Sequence, residues 1–97
     1  MSSVANVNDF SSIMDSYDPS LNTTRNVMTK FEKAKVIGLR LEQLARGMMP
    51  CVDIEGLKTI REICLKELET RNLPFIIVRP LPNGKKEYWR LSDMIIP

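Results

Sequence analysis

The sequence contains no histidine, and only two of its 97 residues are cysteine. Histidine is the side chain most often used as a general base and as a metal ligand, so its absence removes the usual basis for such chemistry. Cys51 and Cys64 match no metal-ligand spacing and are too few to indicate a disulfide framework. A glycine-rich phosphate loop and a serine elbow are also missing. The sequence therefore predicts no enzymatic activity, no metal and no cofactor.

Long apolar runs are missing as well, since none approaches the ~18 residues that a membrane span requires. The first residues lack the basic and apolar regions of a signal peptide, which predicts a protein that stays inside the cell. A content of 43% hydrophobic and 27% charged residues is ordinary for a soluble globular protein, and 97 residues predict one domain. The net charge of +2 is too small to argue for nucleic-acid binding.

The most strongly patterned stretch is residues 29–47, which predicts a helix. Thr29 followed by Glu32 forms a capping box, in which each side chain accepts a hydrogen bond from the backbone N–H of the other residue. Gly47 is suited to the left-handed conformation past a helix end, and Pro50 prevents continuation.

This helix is apolar on two sides. At about 100° per residue, one stripe spans roughly 140° and predicts a face directed at the core of the domain. Its members are Phe31, Ala34, Ile37, Gly38, Leu41, Leu44, Ala45 and Met48. Val36, Leu39 and Gln43 cluster on the opposite side, so the helix needs a second surface to pack against. That surface is either a partner chain or a second helix of the same domain.

Gly38 adds a packing argument, because a glycine inside an exposed helix costs about 1 kcal/mol relative to alanine. With Ala34 and Ala45 it forms a line of small residues that lets another backbone approach closely. The alternative is a tight contact within the domain that merely tolerates a small residue.

The remainder of the chain predicts an α+β fold with two main helices followed by a C-terminal antiparallel β-hairpin. A second capping box at Thr59 and Glu62 opens a helix that runs to about Arg71. Residues 75–79 and 86–91 predict two strands, joined by a turn that contains the Asn83-Gly84 hairpin signal.

Residues 1–28 are rich in Ser, Asn, Asp and Thr, and we predict a flexible, disordered N-terminal tail that precedes a domain of residues 29–97. Within this tail, Phe10, Ile13, Met14 and Tyr17 recur at helical spacing. They predict either a short helix, a segment that folds on a partner, or plain disorder.

Three motifs in order resemble one family. The run Thr-Lys-Phe-Glu-Lys-Ala-Lys-Val-Ile-Gly-Leu-Arg at residues 29–40, followed by Gln43, resembles the signature helix of the small omega-type subunit of DNA-dependent RNA polymerases. Residues 63–75 resemble its second helix and the entry to its hairpin. Arg79 and residues 81–84 and 87–89 resemble the hairpin itself. The hairpin is similar to archaeal subunit K and to the sixth subunit shared by the eukaryotic nuclear polymerases, or a viral homologue, rather than to bacterial omega.

The resemblance implies a non-catalytic polymerase subunit that clamps the largest subunit, within a heteromultimer, and supports assembly and stability for transcription. Other polymerase subunits are further expected partners, with no base-specific DNA contact and no membrane. The implied partner-binding residues, taken by position and from the second apolar side, are Thr29, Glu32, Ala34, Val36, Gly38, Leu39, Arg40 and Gln43. The implied location is the nucleus for a cellular eukaryotic protein, and the cytoplasm or virion for a viral one.

A winged-helix-like nucleic-acid-binding module is the main alternative, since helices precede a basic hairpin that carries Arg79, Lys85, Lys86 and Arg90. Its recognition helix would begin near Thr59 and would carry three glutamates, which oppose phosphate. A minor hydrolase is the remaining alternative, and the missing histidine argues against it.

Overall fold

The computed structural model describes residues 2–6 and 17–97. Its strands and helices follow in chain order, with a short 3-10 helix before the first α-helix and another after the last strand. They are β1 (Ser3–Asn6), the 3-10 helix Pro19–Leu21, α1 (Lys30–Ala45), α2 (Ile60–Thr70), β2 (Phe75–Pro80), β3 (Lys86–Arg90) and the 3-10 helix Leu91–Asp93. The predicted α+β class, with two main helices followed by an antiparallel hairpin, is confirmed.

Both helices begin at the predicted capping boxes. In α1 the Glu32 N–H donates to the Thr29 hydroxyl at 3.1 Å, and the Thr29 N–H donates to the Glu32 carboxylate at 2.9 Å. Thr59 and Glu62 make the same reciprocal pair at the start of α2. Two first-turn N–H groups per helix are thereby satisfied by side chains rather than by water.

The predicted hairpin is part of a three-stranded antiparallel sheet in the order β1-β2-β3. β2 pairs with β3 in a register that sets Ile77 opposite Trp89, and β1 pairs with β2 in a register that sets Val4 opposite Ile77. Strand β1 was not predicted, because Ser-Val-Ala-Asn is short and has little of the β-branched and aromatic character that marks a strand.

The core lies between the helices and the sheet. Its buried cluster comprises Met28, Val36, Leu68, Leu73, Phe75, Ile77, Trp89, Leu91 and Met94. The predicted core face of α1 is only partly right, because Leu44 is buried and Ile37 packs against the core cluster while other members of the stripe face solvent. Phe31 and Met48, which were assigned to the core, are 71% and 48% exposed, whereas Val36 from the opposite side is 0% exposed.

The physical reason for this error is that two charged side chains share the buried face of α1. The buried residues of the helix are Glu32, Val36, Arg40 and Leu44, at spacings of four. A prediction from hydrophobic periodicity assigns a face that carries Glu and Arg to the solvent side. Each of these residues can nevertheless be buried when it has a partner of opposite charge.

Parts of the predicted N-terminal tail contact the rest of the chain. Met28 is buried, and its N–H donates to the Ile95 carbonyl at 2.9 Å beside a parallel bridge between Val27 and Ile95. Of the helically spaced tail motif, Phe10, Ile13 and Met14 lie outside the described residues. The boundary at residue 29 stays a prediction.

A candidate partner-binding surface on the first helix

Arg40 joins α1 to α2 from inside the chain. Its Nε donates to Glu67 Oε1 at 2.9 Å and its Nη2 donates to Glu67 Oε2 at 2.7 Å, with both side chains almost fully buried. The same guanidinium donates to the Met49 carbonyl at 3.1 Å and to Gln43 Oε1 at 3.1 Å. Burial alone would raise the pKa of Glu67, but the hydrogen bonds from Arg40 and from the Cys51 N–H lower it overall. The pair therefore stays ionised and fixes the loop that follows α1.

A second buried pair joins α1 to the sheet. Arg79 of β2 donates to both carboxylate oxygens of Glu32, at 2.9 and 2.8 Å. It also donates to the carbonyls of Val27, at 3.0 Å, and Arg25. Burial would raise the pKa of Glu32, but the hydrogen bonds from Arg79 and from the Thr29 N–H bring it down to about 2. This pair thus holds together the first turn of α1, strand β2 and the segment before the helix.

The eight predicted partner-binding residues divide by burial. Thr29, Ala34 and Gly38 are exposed, and Leu39 and Gln43 are half-buried. Glu32, Val36 and Arg40 are buried in the chain itself. The structure therefore separates the three exposed residues, which can reach another molecule, from the other five, whose side chains already pack or hydrogen-bond within the chain. That these residues contact a polymerase subunit stays a prediction.

The exposed face of α1 is apolar and lined by small residues. Ala34, Gly38 and Ala45 are exposed along it, with Phe31 near its start and Met48 just past its end. A Cβ added at Gly38 would meet no atom within 4 Å. The glycine is therefore not required by any contact inside the described chain, although it costs the helix about 1 kcal/mol. We name this surface the open face of α1: Phe31, Ala34, Gly38, Ala45 and Met48.

A cleft of about 390 Å³ lies at the start of the open face. It is lined by Ser2, Thr29, Phe31, Glu32, Ala34 and Lys35. Ser2, which precedes β1, forms one wall, and its carbonyl accepts a hydrogen bond of 3.0 Å from Lys35 Nζ. Two segments far apart in the sequence therefore build this cleft.

Sequence reasoning missed Phe31, Ala45 and Met48 as surface residues, because it assigned them to the core. A usable signal was the placement of opposite charges among apolar residues. Arg79 follows the apolar run of residues 75–78, and Glu67 precedes Leu68 on an amphipathic helix. Each is a candidate partner for a charge buried on α1.

Within residues 2–6 and 17–97, no cluster of His, Cys, Asp and Glu side chains could hold a metal ion. No helix in that same part of the chain combines the length and apolarity needed to cross a bilayer.

The chain thus has the form of a small α+β protein with one open helix face. No protein-family model matches it. It is 36% identical over 73 residues to the DNA-directed RNA polymerases I, II, and III subunit RPABC2 of Schizosaccharomyces pombe, covering 75% of this chain and 51% of that protein. It is 43% identical over 75 residues to the probable subunit RPABC2 of Caenorhabditis elegans, covering 77% and 55%. It is 37% identical over 73 residues to the DNA-directed RNA polymerases II and V subunit 6B of Arabidopsis thaliana, covering 75% and 51%.

The resemblance to the omega and subunit-K type of polymerase subunit is confirmed. The chain is similar to RPABC2-type subunits over about three quarters of its own length, and it spans about half the length of the curated relatives it matches.

Proposed function

We propose that this chain is a non-catalytic subunit of a DNA-dependent RNA polymerase, in which it clamps the largest subunit and supports assembly and stability for transcription. The observation that carries the proposal is the identity of 36% to 44% with RPABC2-type subunits over about three quarters of the chain. Those relatives are named as subunits shared by several polymerases. A subunit that several enzymes share is suited to a role in assembly rather than in one reaction.

The open face of α1 supports a docking role. Large exposed apolar patches on soluble proteins commonly mark binding sites, and Phe31 and Met48 both leave apolar side-chain area in water on this face. Phe31 offers an aromatic anchor of the kind that dominates interface energies, and Gly38 permits the close approach of a partner's backbone.

We divide the predicted partner-binding set accordingly. Thr29, Ala34 and Gly38 are the proposed contact residues. Leu39 and Gln43 lie on the other side of α1, where Leu39 packs against the core cluster and Gln43 accepts a hydrogen bond from Arg40. Glu32, Val36 and Arg40 are buried and do not contact the partner in this proposal. They hold α1 in position against the sheet and α2.

The relatives named above come from a yeast, a nematode and a plant. We therefore propose that the chain acts in the nucleus of a eukaryotic cell, and these relatives give no support to a viral source.

The winged-helix alternative is not favoured. Its recognition helix would be α2, where Glu67 is buried against Arg40 and where Glu62 and Glu69 are exposed. Exposed carboxylates on a recognition helix repel phosphate. This alternative predicts micromolar binding to random-sequence DNA that weakens steeply with salt, whereas the polymerase-subunit proposal predicts no such binding.

Affinity purification of the tagged full chain from its native source, followed by mass spectrometry, tests the proposal. We expect the largest polymerase subunit and other polymerase subunits in amounts comparable to that of the chain. Recovery of the chain without any polymerase subunit would overturn the proposal.

A further inference from the structure

The cleft at the start of α1 has a volume typical of sites that hold a small ligand or a few side chains, about 300–1,000 Å³. One wall is Phe31, whose side chain is mostly in solvent, and Ala34 lies one turn along the helix. Ser2 of the N-terminal segment also lines the cleft, and its carbonyl accepts a hydrogen bond from Lys35. The cleft is therefore an apolar slot that exists only while the N-terminal segment lies beside α1.

Among the described residues, the exposed charged side chains around this cleft are positive. Its lining includes one carboxylate, Glu32, which is 3% exposed and already accepts hydrogen bonds from Arg79 and from the Thr29 N–H. The exposed cations are Lys35 in the lining and Lys30, whose Nζ lies 5.3 Å from the centroid of the Phe31 ring. The N-terminal end of α1 adds a positive partial charge at the same place. An apolar slot thus lies within a positive rim.

From this arrangement we infer that the cleft binds a segment of the largest polymerase subunit that carries a large apolar side chain flanked by carboxylates. The inference rests on the proposed function and names the chemistry of the partner at one end of the open face. The apolar side chain removes Phe31 and Ala34 from water, and the carboxylates pair with Lys30 and Lys35. A nucleic-acid backbone fits less well, because two lysines beside an apolar slot offer phosphate few contacts.

A photo-crosslinking experiment tests this assignment in the assembled enzyme. The tagged full chain carries p-benzoylphenylalanine in place of Phe31, is purified with its polymerase, and is irradiated before peptide mapping by mass spectrometry. We expect an adduct with a largest-subunit peptide that has a large apolar residue next to Asp or Glu. The same probe in place of Leu21, which is 77% exposed on another part of the chain, is the control and should not label that peptide.

Charge reversal gives an independent readout. Lys30→Glu with Lys35→Glu should lower the affinity for the polymerase about tenfold and reduce the Phe31 crosslink, since two rim charges are reversed. Lys85→Glu with Lys86→Glu, at the exposed hairpin, is the matched control and should leave both unchanged. Melting temperatures of the free variants establish that each one folds.

The outcomes separate the two proposals. If the unmodified tagged chain recovers no polymerase, both the proposed function and this inference fail. If polymerase is recovered, an adduct with nucleic acid, an adduct with a segment that has no carboxylate, or no adduct at all overturns this inference alone.

Discussion

Arg40 of α1 and Glu67 of α2 form a buried two-point ion pair, with Nε 2.9 Å from Oε1 and Nη2 2.7 Å from Oε2. A charge at the centre of a helix face is ordinarily a mark of solvent exposure. Here it marks the core side of α1, and this pair, together with the one between Glu32 and Arg79, turns the apolar residues of the opposite face outward.

Removal of one partner from the buried pair should be strongly destabilising, because it leaves the other charge buried without compensation. We expect Arg40→Met to lower the free energy of unfolding by about 3–5 kcal/mol. Arg46→Met, which breaks an exposed pair with Glu42, is the control and should cost at most about 1 kcal/mol. Urea unfolding of both variants measures the difference, and equal losses would show that the Arg40 pair is not buried.

Acid should destabilise the chain through its buried carboxylates. The pKa of Glu32 falls from its ordinary value of 4.5 to about 2 in the folded chain. A lowered folded pKa stabilises the folded state above pH 4.5, and that stabilisation is lost as the pH falls from about 4.5 to about 2. Its upper limit for Glu32 is about 3 kcal/mol.

Thermal unfolding between pH 7 and pH 2 measures this dependence. The wild-type chain should be nearly constant in stability down to about pH 5 and then lose stability. The Glu32→Gln variant should be less stable than the wild-type chain at pH 7, and its stability should depend less on pH below pH 4.5. Parallel curves for the two chains would contradict the assignment to Glu32.

The segment before α1 should contribute to stability, although its composition is that of a tail. Glu87 accepts hydrogen bonds from the N–H groups of Thr23 and Thr24, and Trp89 Nε1 donates to the Thr24 hydroxyl at 2.9 Å. Met28 is buried in the core cluster. We expect a chain that starts at residue 29 to be less stable than one that starts at residue 17 by at least about 2 kcal/mol, the lower value for losing a buried Met side chain.

Urea unfolding of these two truncated chains provides the comparison. Both lack β1, so their difference isolates residues 17–28. Equal stability of the two truncated chains would contradict this prediction and would agree with the flexible tail that the sequence predicts.

Gly38→Ala should stabilise the free chain. The position lies inside α1, and an added Cβ meets nothing within 4 Å, so the helix gains propensity without a clash. The expected gain is about 1 kcal/mol in the free energy of unfolding. Thermal or urea unfolding measures it, and a loss of stability would place Gly38 in a close internal contact instead.

Much of the fold is readable from the sequence because its signals are local. Thr29 with Glu32 and Thr59 with Glu62 act over three residues, and the hairpin turn is marked by Asn83-Gly84. The orientation of α1 is not readable from periodicity, since it depends on Arg79 and Glu67, which lie 47 and 27 residues from their partners. Strand β1 cannot be predicted from the sequence for a related reason. Its residues have little intrinsic preference for a strand, and they form one by pairing with β2, which is far away in the sequence.

The candidate site shows the same division. The predicted partner-binding residues all lie on or next to the first helix. Three of them, Thr29, Ala34 and Gly38, are exposed as an interface requires. Glu32 and Arg40 are predicted as contacts by their positions in the resemblance, and Val36 by its place on the second apolar side, but all three are buried in the chain. A charged residue whose partner is far away in the sequence cannot be recognised as buried from its neighbours in the helix.

The most direct measurement compares Gly38→Leu with the wild-type chain for folding and for binding to the polymerase. If the open face of α1 is the interface, the variant should melt at or above the wild-type temperature, because leucine favours a helix more than glycine does and the space around Gly38 is open within the chain. Its affinity for the polymerase should fall at least about tenfold, or 1.4 kcal/mol, since a leucine side chain holds the partner's backbone away. Unchanged affinity in a variant that melts no lower than the wild-type chain would contradict this placement of the interface.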